Sequence, residues 1–142
     1  MITAGGKEAL SHTDAGGKTA LHYSCHSNHL DNIAVVRMLA KAGATVNAVD
    51  NDGHTPLRHV ASWGEATTIY QLVMYGAEID LRGPSSSTPL MEACFHNGLV
   101  VVMAFLKEGA DPNAQTDSMT LYYLHFSDII WMRNRIISST SY

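Results

Sequence analysis

The sequence predicts an all-α solenoid, in which helix–turn–helix units joined by β-hairpin-like loops stack side by side. The first observation is a Gly-Ala pair that recurs every 33 residues, beginning at Gly43, Gly76 and Gly109. The second is a threonine upstream of each pair, at Thr19, Thr55 and Thr88. A fixed period of this size indicates repeated units that bury a common core only by stacking, rather than a single interleaved globule.

The first helix of each unit is predicted to begin directly after its threonine. A threonine hydroxyl can accept a hydrogen bond from an unpaired amide of the first helical turn. Pro56 and Pro89 then occupy the first helical position, where no amide donor is needed. A leucine follows in each copy, at Leu21, Leu57 and Leu90. Smaller residues at three and four positions further on share the leucine's face, so a neighbouring helix can approach closely.

The second helix of each unit is predicted from bulkier apolar residues at helical spacing, and Gly43, Gly76 and Gly109 are expected to end these helices. The apolar positions are Val36 and Leu39, then Ile69, Leu72 and Val73, then Val102, Phe105 and Leu106. A pair of helices with such faces cannot bury them alone, so the neighbouring pair must supply the rest of the core.

These units resemble the ankyrin repeat, whose mark is a Thr-Pro-Leu-His-x-Ala helix start within 33 residues. The matching segments are Thr19-Ala20-Leu21-His22, Thr55-Pro56-Leu57 and Thr88-Pro89-Leu90, each with a later Gly-Ala-x-x-Asn/Asp ending. Ala20 replaces the proline in the first copy, and Arg58 and Met91 replace the histidine in the other two. The resemblance covers about residues 14–115. It implies that His22 is a structural residue whose hydrogen bonds join neighbouring units.

The repeat pattern predicts five segments along the chain. Residues 14–50, 51–82 and 83–115 are three repeats, the first with an inter-helix loop enlarged by three positions within His26–Asn32. Residues 1–13 are predicted to be the trailing loop of a partial repeat whose helices are absent. Residues 116–142 are interpreted as a degenerate fourth repeat or a C-terminal helical tail. This tail either packs on the third repeat as an amphipathic helix or is a poorly ordered remnant of truncation or splicing.

Composition narrows the class of protein. The formal net charge is −4, which gives no electrostatic reason to expect a nucleic-acid partner. No run of 18 uncharged apolar residues indicates a membrane span. Cys25 and Cys94 fall at equivalent positions two repeats apart, too far for a disulfide. Reduced cysteines and the lack of an apolar signal segment predict an intracellular protein, in the cytoplasm or the nucleus.

Catalytic and metal chemistry is not predicted. His22, Cys25 and His26 lie close in sequence, but a zinc site needs three or four converging ligands, and Cys25 is expected to face the core. Neither a nucleophile elbow nor a glycine-rich phosphate loop with its lysine occurs. We therefore expect a non-enzymatic protein with no cofactor, no bound metal and no small-molecule substrate.

The resemblance implies that a partner protein is bound by the hairpin tips and the inner, concave face of the first helices. The candidate residues at those positions are Lys18, His26, Asn51, Asp52, His54, Ser62, Trp63, Phe95 and His96. Trp63 and Phe95 follow the positions that fill the core, so they are expected to be at least partly exposed and to anchor the partner. The alternative is that these two aromatic residues stack on each other or under a hairpin.

The predicted function is therefore protein binding, as an adaptor, an inhibitor or a scaffold. The alternative is that the chain is the recognition fragment or an isoform of a larger ankyrin-repeat protein, such as a ubiquitin-ligase substrate receptor or a transcription regulator. The identity of the partner does not follow from the fold.

Overall fold

The computed structural model describes residues 4–26, 31–63, 65–96 and 98–116. Over these residues the chain forms seven α-helices and no strand, which confirms the predicted all-α class. The helices are α1 (Ala4–Ser11), α2 (Ala20–Ser24), α3 (Asp31–Lys41), α4 (Pro56–Trp63), α5 (Ala66–Met74), α6 (Pro89–His96) and α7 (Leu99–Lys107). A single 3₁₀ turn, Pro84–Ser86, precedes α6.

The helices pack as three pairs in two rows. Helices α2, α4 and α6 form the row of first helices, because α4 contacts both α2 and α6. Helices α3, α5 and α7 form the row of second helices, because α5 contacts both α3 and α7. The two rows enclose one elongated core that includes Leu21, Leu57 and Leu90 from the first helices. Stacked pairs with a shared interior are the architecture that the sequence predicted.

The predicted helix starts and ends are confirmed by local geometry. The hydroxyls of Thr55 and Thr88 accept hydrogen bonds from the amides three residues later, at 3.3 and 3.4 Å. Gly43, Gly76 and Gly109 follow the second helices with φ angles of 98°, 94° and 93°. This left-handed conformation places a side chain close to its own carbonyl, which favours glycine at the helix end.

Hydrogen bonds connect the loops of successive units. Asn47 donates to the carbonyl of Gly76 at 3.0 Å and accepts from the amide of Glu78 at 2.9 Å. Asp80, one repeat further, accepts from the amide of Asp111 at 3.0 Å. The Asn/Asp that closes the Gly-Ala-x-x-Asn/Asp motif in the first two copies therefore binds the backbone of the next unit, which fixes the register between neighbouring loops.

Residues 1–13 differ from the prediction. The expected trailing loop contains helix α1, and Leu10 of that helix packs against the core. An apolar face on the first unit needs a cover, which explains why a short helix forms there. Most of the enlarged loop, Gly64, Asn97 and residues 117–142 lie outside the described residues. The boundaries of the repeats stay a prediction.

Candidate partner-binding surface

His22 joins the first unit to the second, as the resemblance implied. Its Nδ1 accepts from the Thr19 amide at 3.1 Å and lies 2.9 Å from the Thr19 hydroxyl. Because Nδ1 is an acceptor, Nε2 of the neutral ring carries the proton and donates to the carbonyl of His54 at 3.0 Å. His22 is buried, so it is a structural residue rather than part of an accessible surface.

Arg58 makes the corresponding connection between the second and third units. Its Nη1 donates to the carbonyl of Ser87 at 3.1 Å, and Ser87 stands one repeat after His54. Its Nη2 donates to the Ser87 hydroxyl at 2.6 Å and to Glu92 at 2.7 Å. The arginine therefore keeps the inter-unit hydrogen bond that the histidine makes in the first copy. Met91, the next equivalent, accepts from the Thr88 amide through sulfur and has no donor for a following unit.

Gly83 and Glu92 complete the environment of Arg58. Gly83 stands one repeat after Asp50, and Glu92 stands one repeat after His59. Asp50 supplies a carboxylate to which the ring of His59 donates, whereas the carboxylate of Glu92 in the third unit accepts from Arg58 of the second unit. A Cβ atom on Gly83 would lie 2.6 Å from Nη1 of Arg58. The close approach of the guanidinium therefore favours glycine at position 83.

Gly83→Ala is expected to lower the free energy of unfolding by about 1–3 kcal/mol, because the buried guanidinium must move to admit a methyl group. In an Arg58→Ala background the same change should cost less than about 0.5 kcal/mol, since the clash is removed. Urea unfolding of the four proteins of this cycle measures the coupling. An equal cost of Gly83→Ala in both backgrounds would mean that the clash with Arg58 is not the reason for the loss.

His59 forms a buried pair with Asp50, which sequence analysis did not predict. The ring Nε2 lies 2.9 Å from the Asp50 carboxylate. Burial lowers the pKa of His59 and outweighs the opposite effect of Asp50. Burial alone would raise the pKa of Asp50, but hydrogen bonds from the His54 amide and the His59 ring hold it below its usual range. The pair is therefore a neutral imidazole that donates to a carboxylate.

His22, Asp50 and His59 form a buried cluster whose potential ligand atoms lie within 4.8 Å of one another. Nε2 of His22 carries a proton and donates to the carbonyl of His54. Metal binding there would transfer that proton to Nδ1, which faces the donor N–H of Thr19. The hydrogen bonds thus oppose metal ligation by His22, and the cluster acts as a polar connection between units.

Acidification is expected to destabilise the fold. Burial lowers the pKa of both His22 and His59, so the unfolded chain takes up protons near pH 6.5 before the folded chain does. The free energy of unfolding should therefore fall as pH drops below about 6.5, by at most about 1.4 kcal/mol per pH unit for each histidine. Urea unfolding at pH 7.5, 6.5 and 5.5 measures the slope. His12→Gln, at an exposed position, should leave the slope unchanged, and a flat profile would contradict the prediction.

An aromatic row runs across the first helices. We use this name for His26, Trp63, Phe95 and His96. The ring centroids of His26 and Trp63 are 5.9 Å apart, and those of Trp63 and His96 are 6.1 Å apart and stacked. Phe95 meets His96 edge-on at 4.7 Å. Trp63 and Phe95 are 56% and 54% exposed, so the predicted exposure is confirmed. The rings support one another and still present their surfaces to solvent.

His96 is held in place by Glu92, which also binds Arg58. Its Nε2 lies 3.2 Å from one oxygen of Glu92, while the other oxygen binds the buried guanidinium of Arg58. One carboxylate therefore links the interior of the stack to the exposed ring that lies on Trp63. The sequence gives no direct signal for this link beyond the spacing of Glu92 and His96, four residues apart on α6.

The remaining candidate residues occupy varied positions. Asp52 is exposed, whereas Lys18, His54 and Ser62 are only partly exposed. Asn51 is exposed, but its side-chain amide donates to the carbonyl of Ala15 at 2.9 Å, and its backbone amide donates to Gly16 at the same distance. Asn51 thus joins two hairpins, which limits what its amide can offer a partner. The role of all these residues in binding stays a prediction.

The two cysteines are free, as predicted, but differ in exposure. Cys25 is buried and Cys94 is half-buried. Burial raises the pKa of each thiol to about 12. Since the thiolate is the reactive form, neither thiol is reactive near neutral pH.

The outer surface of the second helices carries exposed apolar side chains that sequence analysis did not address. Equivalent positions carry Arg37 on α3, Tyr70 on α5 and Met103 on α7. Val100 is 71% exposed, and Tyr70 and Met74 are also more than half exposed. The charge present in the first unit is therefore replaced by apolar side chains towards α7. Among the described residues, no helix is both long and apolar enough to span a bilayer.

Comparison with known proteins identifies the repeats. A family model described as ankyrin repeats, in three copies, matches residues 2–83, and a single ankyrin repeat matches residues 86–117.

Three relatives are each similar to most of the chain. Tyrosine-protein kinase HTK16 of Hydra vulgaris is 35% identical over 106 residues, which are 73% of this chain and 14% of the kinase. Ankyrin repeat protein nuc-2 of Neurospora crassa is 32% identical over 107 residues, 75% and 10% of the two chains. E3 ubiquitin-protein ligase KEG of Arabidopsis thaliana is 30% identical over 113 residues, 78% and 7%. The chain spans at most about a seventh of these relatives. With its stacked helix pairs and matching motifs, the chain belongs to the ankyrin-repeat family.

Proposed function

We propose that this chain binds a partner protein through the row of first helices and the hairpin tips, as an adaptor, an inhibitor or a scaffold. The observation that carries the proposal is the aromatic row. Large aromatic side chains bury much area at small entropic cost, and they are enriched among residues that dominate binding energy. Ankyrin repeats are an interaction module, so a non-catalytic role is consistent with the family.

The position of the row supports its use as a contact surface. Its rings rest on one another, so a partner would meet a surface that is already ordered and would lose little entropy on binding. His96 is further held by Glu92 at 3.2 Å. Asp52 and the partly exposed His54 and Lys18 lie on the hairpins that precede the first helices, whereas Trp63, Phe95 and His96 lie at the C-terminal ends of α4 and α6. In this proposal the hairpin residues form a separate polar part of the contact surface.

The second candidate is that the chain acts as the recognition segment of a larger protein. The relatives favour this possibility, because the matched segment is only 7–14% of a ligase, a kinase and an ankyrin repeat protein. A role within a ubiquitin ligase or a transcription regulator, and an intracellular location in the cytoplasm or nucleus, remain predictions. Tagging the endogenous protein and measuring its mass and location would test both.

Trp63→Ala is expected to weaken partner binding at least tenfold while lowering the free energy of unfolding by less than about 1 kcal/mol, because the side chain is more than half exposed. Affinity capture from cells, quantified for wild type and variant, identifies the proteins that depend on Trp63. Tyr70→Ala is the matched control, since Tyr70 is similarly exposed on α5. If Trp63→Ala unfolds the protein, or if both variants capture the same proteins, the proposal fails.

A further inference from the structure

The two junctions between the first helices differ in the groups that connect them. We call the contact of α2 with α4 the first junction and that of α4 with α6 the second junction. Of the described histidines, His22 and His59 alone are buried, and both lie at the first junction. The second junction depends instead on Arg58 and Glu92, a guanidinium and a carboxylate. Groups that change charge near neutral pH are therefore concentrated in the interior of the first junction.

One carboxylate serves both buried histidine rings. Asp50 accepts from the ring of His59 at 2.9 Å, and it also attracts positive charge on His22. It is the only buried acid among the residues that the structure describes. The ring centroids of the two histidines are 5.5 Å apart. Asp50 can therefore compensate one imidazolium, whereas a second proton would place two cations side by side in the interior, and Lys18 of the preceding loop adds to their repulsion.

His26 and His54 complete the set of titratable groups that face the first junction. Their rings pack edge-on against His59, with centroid distances of 5.5 and 5.7 Å. His26 is exposed and His54 is half-buried. An imidazolium at either position would bring a further positive charge close to His59, so these rings also disfavour a charged interior.

Protonation of His22 is incompatible with the hydrogen bonds that connect the first two units. Its Nδ1 accepts from the Thr19 amide at 3.1 Å, so a proton on Nδ1 would face an N–H donor. The ring can then no longer stay where its Nε2 donates to the carbonyl of His54. Burial lowers the pKa of both His22 and His59, so a conformation that exposes these rings to water takes up protons more readily than the closed one.

We propose that mild acid opens the first junction while the second junction stays closed, so that α2 separates from α4 and the rest of the stack remains folded. This inference does not depend on the proposed function. It goes further than a general loss of stability in acid, because it places the opening at one contact between two helices. His26 lies two residues after α2 and contacts Trp63. Opening would therefore remove His26 from the aromatic row and change the candidate binding surface.

The two cysteines provide a reporter for each junction. Cys25 directly follows α2 and is 1% exposed, whereas Cys94 lies on α6 and is half-buried. The full chain is labelled with 4,4′-dithiodipyridine, which reacts with accessible thiols in mild acid, and each site is quantified by peptide mass spectrometry. Each rate is divided by that of the urea-unfolded chain at the same pH.

Between pH 7.5 and 5.5 the relative labelling rate at Cys25 is expected to rise at least about fivefold, since a histidine of lowered pKa shifts the opening equilibrium by up to about tenfold per pH unit. The relative rate at Cys94 should change by less than about twofold, because local opening of one contact leaves the other closed.

His59→Gln tests the role of the buried rings, because an amide can donate to Asp50 but does not titrate. It should reduce the pH response of Cys25 at least about twofold, while His12→Gln, at an exposed position, should leave the response unchanged. If His59→Gln does not fold at pH 7.5, proton NMR of the wild type replaces it. The ring signals of His22 and His59 should then shift over the same pH range in which Cys25 becomes reactive.

Three results would overturn the inference. Parallel acceleration at Cys25 and Cys94 would mean that acid unfolds the whole stack, although the fold would still be sensitive to acid. Unchanged rates at both cysteines would mean that the first junction stays closed. A full response in folded His59→Gln, or ring signals that shift outside the range in which Cys25 becomes reactive, would mean that other groups control the opening.

Discussion

Arg58→Met is expected to lower the free energy of unfolding by about 3 kcal/mol. The side chain of Arg58 is 7% exposed and binds Ser87 and Glu92. Its removal leaves the Glu92 carboxylate in the stack without a guanidinium partner, and the Ser87 carbonyl keeps only the Gly83 amide of its two donors. Breaking a buried ion pair in this way typically costs about 3–5 kcal/mol. The lower end applies because Glu92 keeps some contact with solvent and with His96.

Urea unfolding followed by circular dichroism measures this loss. Arg58→Met/Glu92→Met should recover at least half of it, because apolar side chains of similar size can replace a buried ion pair. Arg37→Met is the control, since Arg37 is an exposed cation on α3, and its loss should change stability by less than about 0.5 kcal/mol. A change below about 1 kcal/mol for Arg58→Met would mean that the second junction does not depend on this connection.

The backbone architecture follows from the sequence because it depends on periodic residues. The threonines and glycines that bracket each helix pair act locally, through a hydroxyl cap and a left-handed turn. The core leucines act through helical spacing, and Leu21, Leu57 and Leu90 are all buried. Signals of this kind are repeated three times, so each copy supports the interpretation of the other two.

The polar junctions could be predicted only in part, because they depend on side chains from different units. His22 was interpreted correctly from the resemblance. Arg58 looked like a simple departure from the motif, since its role depends on Gly83 and Glu92, which are distant in sequence. A comparison of the repeats does indicate this role. Gly83 stands where the previous repeat has Asp50, and Glu92 stands where it has His59, so the carboxylate occupies a different position in the two repeats.

The candidate binding surface could also be predicted only in part. The exposure of Trp63 and Phe95 follows from helical spacing, because the core positions are already occupied. The contact of Trp63 with His96 does not, since it depends on how closely α4 and α6 approach. The alternative interpretation had Trp63 stacking on Phe95, whereas in the structure Trp63 stacks on His96. The apolar outer surface of α5 and α7 was not predicted, because the spacing argument concerned only the positions that face the core.

Leu72→Ala is expected to cost about 2–5 kcal/mol, because the side chain is fully buried and its removal leaves a cavity. Leu72 lies on α5, which packs between α3 and α7. In a stacked array each unit is stabilised mainly by its neighbours. A cavity in the middle pair therefore weakens both interfaces of the second helices. The loss is comparable with the whole stability of a small domain, so the variant should be partly unfolded near 37 °C.

Leu39→Ala provides the matched comparison, since Leu39 stands at the same position of α3 but is only half-buried. Its cost should be no more than half that of Leu72→Ala, because less apolar surface leaves the core. Urea and thermal unfolding of both variants give the two values. In a Trp131→Phe background, where Trp63 is the one tryptophan, fluorescence reports on the middle pair. Equal losses would mean that the first and second pairs bury this position to the same extent in solution. The difference in burial between Leu39 and Leu72 would then be wrong.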